Sequence, residues 1–193
     1  MRSPGKAALN SGAPDLPLAR LAANLYTLLN KRNEARMAER RVGFKVSGDK
    51  VVLIDAEVPD VGPISLVADH TWSLQKGARE DAYHVIYQQV ANYLREHEIK
   101  RVVLKASAVN HGGSMKLAHL ESAEVRGVVI AAARSICPVC SVAKATISHR
   151  FGDRKVDEYV KDDVFWSENT EGVDLRAGSR EAALLLIADR GTT

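Results

Sequence analysis

Arg101-Val102-Val103-Leu104-Lys105 is a short apolar run closed by a cation at each end, and what flanks it decides the fold. A run of this length, rich in valine, reads as a buried strand. Just before it, Ala82, Val85, Ile86, Val90, Tyr93 and Leu94 keep a helical period across Ala78 to His97. Just after it, Gly112-Gly113 breaks the chain, and Met115 to Arg134 reads as a second apolar-faced helix. A strand held between two helices belongs to a sheet built partly by crossover connections.

Further upstream, Val42, Phe44 and Val46 alternate with Gly43 and Lys45, Ser47-Gly48-Asp49-Lys50 supplies turn chemistry, and Val51 to Ile54 follows. This predicts a hairpin. Pro59 to Pro63 breaks the chain again before a third strand at Ile64 to Val67. Downstream of the second helix come a short β-like stretch at Pro138 to Val142, a helix capped by Asp153 that carries Val156, Tyr159, Val160, Val164 and Phe165, and a last helix from Ser179 to about Asp189. The order β-β-β-α-β-α-β-α-α predicts an α/β fold with a mixed five-stranded sheet, its first three strands an antiparallel meander.

Before these elements, Asp15 and Pro17 signal the start of a helix with Leu18, Leu21, Leu25, Leu28 and Leu29 on one stripe. Residues 1–39 are expected to be a flexible leader and this amphipathic helix, which seeks burial against a protein partner or a second copy. Residues 40–193 are expected to be a single domain, in keeping with a chain of 193 residues. A net charge of +3 permits nucleic-acid binding without demanding it. No apolar run is long enough to span a bilayer, no secretory signal pattern is present, and only two cysteines occur, so a cytoplasmic protein without a disulfide scaffold is expected.

The segment Arg101 to Gly127, with Val-Val-Leu-Lys ending a strand and Gly-Gly-Ser-Met-Lys-Leu opening a helix, resembles the same region of RuvC-type Holliday-junction resolvases of the RNase H-like superfamily. Ser141-Val-Ala-Lys-Ala-Thr146, Asp153 to Val160 and Arg180-Glu-Ala-Ala-Leu184 resemble the segments that follow in that family, and small uncharacterised bacterial RuvC-like proteins share the pattern. The resemblance implies an RNase H-like domain over roughly Arg40 to Arg190. In such enzymes an Asp from the first strand, a Glu ending the fourth and Asp on the last helix hold two divalent metals about 4 Å apart.

Set against that pattern, Lys45 and Lys105 occupy the first- and fourth-strand positions, and Glu181 the last-helix position. A lysine ammonium has no lone pair to give a metal and repels it. The resemblance therefore implies a degenerate, non-catalytic relative with no cofactor. An alternative alignment places Asp55 at the first-strand position, and a rearranged endonuclease site would then use Asp55, Glu124 and Glu181.

Lys144, His149, Arg150, Arg154 and Lys155 form a basic cluster where RuvC-like proteins approach nucleic acid. Glu121 and Glu124, and Asp162 with Asp163, are expected to be salt-bridged or solvated helix faces, Cys137 and Cys140 buried cysteines, and His111 a loop residue. Three functions stay open on the residues alone: a nucleic-acid-associated binding or scaffold protein, a metal-dependent endonuclease, and an oligomerising structural module.

Overall fold

The structure, a computed structural model, describes residues 38–107, 116–151 and 154–190. The expected N-terminal helix and His111 lie outside the described residues. The strands are β1 Glu39–Ser47, β2 Lys50–Val58, β3 Ile64–Ser73, β4 Arg101–Lys105, β5 Val139–Val142 and β6 Thr170–Gly172. The helices are α1 Arg79–Glu96, α2 Leu117–Arg134, α3 Lys144–Arg150, α4 Val156–Lys161, α5 Asp163–Asn169 and α6 Arg180–Ala188, with a 3₁₀ turn at Ala177–Ser179 leading into α6.

They build one six-stranded sheet in the order β5-β4-β1-β2-β3-β6. The meander β1-β2-β3 is antiparallel, while β4 runs parallel to β1, β5 parallel to β4 and β6 parallel to β3. The sheet is mixed as expected but gains the three-residue β6, which is too short to leave a periodic signal. Two further differences concern helices. The segment around Tyr159 is two helices rather than one, because Asp162 takes an extended conformation and its side chain caps α5 by accepting from the Phe165 N–H. Lys144–Arg150 forms a helix that the sequence reading did not anticipate.

Strand alternation sends side chains to two separate cores. Val42, Phe44, Leu53, Val102 and Leu104 pack against Ile86, Val90 and Leu94 of α1 and Val125 and Val129 of α2. On the other face Ile54, Ala56, Val103 and Val142 pack against α6, which is covered in turn by Ile147, Val156, Tyr159 and Trp166. Every residue from Ala182 to Ala188 is buried, which explains a helix that is apolar all round. Gly43 permits this close packing, since a Cβ there would lie 2.3 Å from the Ala182 carbonyl oxygen.

Candidate functional site

Residues alternating with the Val42–Phe44 core point toward α6, so Arg41 and Lys45 of β1 share that face, as do Arg101 and Lys105 of β4. Phe44 is paired with Leu104, which sets Lys45 and Lys105 side by side, one residue further on. Glu181, in the first turn of α6, faces both. Its Oε2 lies 2.8 Å from the Lys45 ammonium and its Oε1 2.5 Å from that of Lys105. The three side chains are largely shielded, 26% and 30% exposed for the lysines and 13% for the glutamate. Burial by itself would raise the Glu181 pKa, but hydrogen bonds from Lys105 and Lys45, reinforced by their charges, hold it below the usual glutamate value.

The ion cluster continues toward α4. Lys144 holds Asp157 at 2.7 Å. The Asp157 carboxyl lies below its ordinary range, first because of that hydrogen bond, with the charges of Lys144, Lys105 and Lys161 adding to it. Lysines 45, 105 and 144 are thus interleaved with Glu181 and Asp157 at one end of the sheet.

The residues implied as metal ligands by the family pattern do not suit a divalent cation here. Two ammonium groups stand where oxygen donors are required, and each oxygen of Glu181 is already engaged by one of them. The alternative set, Asp55, Glu124 and Glu181, is not brought together. Asp55 lies on the opposite face of the sheet, fully buried, taking two bonds from the Arg40 guanidinium at 3.0 and 2.8 Å and one from the Tyr93 hydroxyl at 2.8 Å. Glu124 accepts from the Tyr83 hydroxyl and stands 3.7 Å from Arg79, which also lies 3.5 Å from Glu121. Among the described residues no group of three or more His, Cys, Asp or Glu side chains is placed to share a metal.

The basic cluster is only partly available. Lys144 is paired with Asp157. Arg150 donates to the Ala188 carbonyl at the end of α6, and Arg154 bonds Asp162 at 2.8 Å while stacking over the Tyr159 ring. His149 and Lys155 are exposed. Cys137 is buried, Cys140 partly so, and both are free thiols.

Sequence reasoning missed a second ion cluster at the far end of α6. Asp189, 1% exposed, is 3.1 Å from Arg41 and 2.7 Å from Arg101. A signal for it exists. The pattern Arg-Val-x-x-Lys occurs twice, at 41–45 and 101–105, and its charged ends fall on one face of each strand. Glu181 and Asp189 are eight residues apart on one helix, close to two turns, and so are matched to the two ends of that pattern.

No known protein family profile matches this chain, and no curated protein matches it by sequence. Solved structures do. Thermus thermophilus RuvC superposes with a TM-score of 0.59 at 14% identity, over 78% of this chain and 94% of that one. The T. thermophilus RuvC structure in complex with a Holliday junction substrate gives 0.61 at 11% identity, over 77% and 91%. The yeast mitochondrial Holliday junction resolvase Ydc2 gives 0.54 at 11% identity, over 78% and 77%. The fold is therefore RNase H-like, of the α/β class. Within that class it is the fold of the RuvC resolvases. No helix among the described residues is long and apolar enough to cross a membrane.

Proposed function

We propose that this chain is a non-catalytic RuvC-like domain that associates with nucleic acid as a binding or scaffold protein, with its lysine corner contacting phosphate instead of metal. The observation that carries this reading is the sharing of one carboxylate, Glu181, by Lys45 and Lys105. Two cations and one anion leave the corner with a formal charge of +1. The N-terminal end of α6, with its positive dipole, adds to that charge. Such a site attracts a phosphodiester oxygen and repels Mg²⁺. Support for a nucleic-acid partner also comes from the junction-bound T. thermophilus RuvC, whose fold this chain shares. Exposed His149 and Lys155 are further phosphate contacts in this reading, and association through residues 1–39 would supply a second copy or a protein partner.

The test is retention of four-way-junction and duplex DNA at several salt concentrations, with Mn²⁺-dependent cleavage assayed alongside. Binding is expected to be salt-sensitive and sequence-independent, with no cleavage. Replacing both Lys45 and Lys105 by Ala should flatten the dependence of log affinity on log salt by about 2, the equivalent of two phosphate contacts. Metal-dependent cleavage by the unsubstituted chain, or affinity indifferent to the double substitution, would defeat the proposal.

A further inference from the structure

A recess lies on the sheet face opposite the lysine corner, between the end of β3 and the last turns of α1. It has a volume of about 340 Å³ and is lined by His70, Trp72, Gln89, Asn92, Tyr93 and Glu96. Two of these six, Trp72 and Tyr93, are among the Phe, Trp and Tyr that make up only 5% of the chain, and the His70 imidazole adds a third ring, so the concentration of rings here is not a reflection of composition.

The walls are fixed from behind. Trp72 packs on the buried Phe44 ring, with centroids 6.4 Å apart, and meets Tyr93 edge to face at 5.6 Å. His70 stands nearly parallel to Trp72, at 14°, and edge-on to Tyr93. Tyr93 is anchored by its hydroxyl to the buried Asp55 carboxylate, which Arg40 neutralises. Burial and the neighbouring Asp55 charge push the Tyr93 hydroxyl far above its ordinary pKa, so it stays a neutral donor. The rings therefore need little rearrangement to receive a ligand.

Charge decides which ligand. Glu96 is the one acidic or basic side chain in the lining apart from His70, and it is exposed, with no cation among the described residues paired to it. Arg95, next in sequence, turns its guanidinium to the Asn92 side-chain oxygen and does not line the recess. Aromatic faces carry negative potential and hold cations, tryptophan most strongly. A nucleotide would bring its phosphate beside Glu96 with no lining Lys or Arg to offset it. We infer that this recess is a binding site for an organic cation, an ammonium or guanidinium group seated against Trp72 and Tyr93 with Glu96 as counter-ion. Gln89 and Asn92 add polar groups for its N–H donors. The inference stands on this recess alone and is independent of the lysine corner.

The experiment uses the full chain carrying Trp166→Phe, because Trp166 is buried among the helices on the other face and Trp72 is then the sole fluorescent tryptophan. Tetramethylammonium chloride, N-acetyl-arginine methylamide, potassium chloride and dAMP are titrated separately. A saturable change with either organic cation, absent with potassium chloride and weakened about tenfold by Glu96→Gln, supports the site. A stronger response to the arginine compound assigns it to a partner's basic side chain, and a stronger response to tetramethylammonium assigns it to a free quaternary amine. In the chain that keeps Trp166, Trp72→Phe must abolish the same response. No response, a response equal to that of potassium chloride, or binding of dAMP without the cations overturns the inference.

Discussion

The two ends of α6 are built from the same parts, one helix carboxylate and one cation from each of β1 and β4, yet they solve different problems. At the C-terminal end, Asp189 adds negative charge to a helix end whose carbonyls already point outward, and arginines answer both. Arg41 and Arg101 hold the carboxylate, and Arg150 reaches the Ala188 carbonyl. The planar guanidinium suits several acceptors at once, and Asp189 is all but sealed from water. At the N-terminal end, the helix dipole favours Glu181 and opposes the two lysines. Ammonium groups are compact and strongly hydrated, and these two keep about a quarter to a third of their surface in solvent. One end is a closed clamp. The other is an open one whose excess positive charge faces outward.

If that contrast is right, substitutions should separate the ends by size of effect. The largest belongs to Asp189→Ala, which leaves Arg41 and Arg101 without their shared counter-ion and should cost about 3–5 kcal/mol in urea-induced unfolding. Gly43→Ala comes next at about 1–3 kcal/mol, because the new methyl group must push α6 off the sheet and strain both ends together. Glu181→Gln should cost less, about 1–2 kcal/mol, in the same measurement. Equal costs for Asp189→Ala and Glu181→Gln would erase the distinction and make the lysine corner a second structural tether. The smallest effect is one of pH. Because the folded-state pKa of Glu181 is depressed, its contribution is present at neutral pH and above the unfolded value, and is lost as pH falls through the lower folded value. The stability gap between the unsubstituted chain and Glu181→Gln should therefore close in acid, below the usual glutamate range, as followed by thermal unfolding at a series of pH values.

The meander and both long helices were readable because each rests on a period, two for strands and 3.6 for helices, whereas the placing of Lys45, Lys105 and Glu181 came from the resemblance to the RuvC pattern laid over those elements. Together they set β1 beside β4, and a residue pair on adjacent strands needs only register to meet. Asp55 was harder, since its partners Arg40 and Tyr93 are 15 and 38 residues away and no local spacing announces them. The split between α4 and α5 turned on the backbone of Asp162, which reads as one more charged residue on a helix face until its cap is seen. The closed clamp at Asp189 was legible in principle from the repeated Arg-Val-x-x-Lys pattern, but a strand cation carries no mark that tells a tether from a solvated surface.

The brevity of β6 has a consequence for the behaviour of the chain at high concentration. β6 pairs with β3 only at Ile64, Ser65 and Leu66, and Gly172 is required there because a Cβ would lie 2.3 Å from the Leu66 carbonyl oxygen. From Val67 to Ser73 the outer rim of β3 has no strand partner among the described residues. An unpaired rim of that length is a template on which another molecule's backbone can zip, the first step toward ordered aggregates. Midway along this rim the Asp69 side chain is turned toward the α6 face, where Arg176 and Ser179 hold it, so it adds no free charge to the rim. The three residues of β6 thus shorten, without closing, the edge that the sheet offers to a second chain.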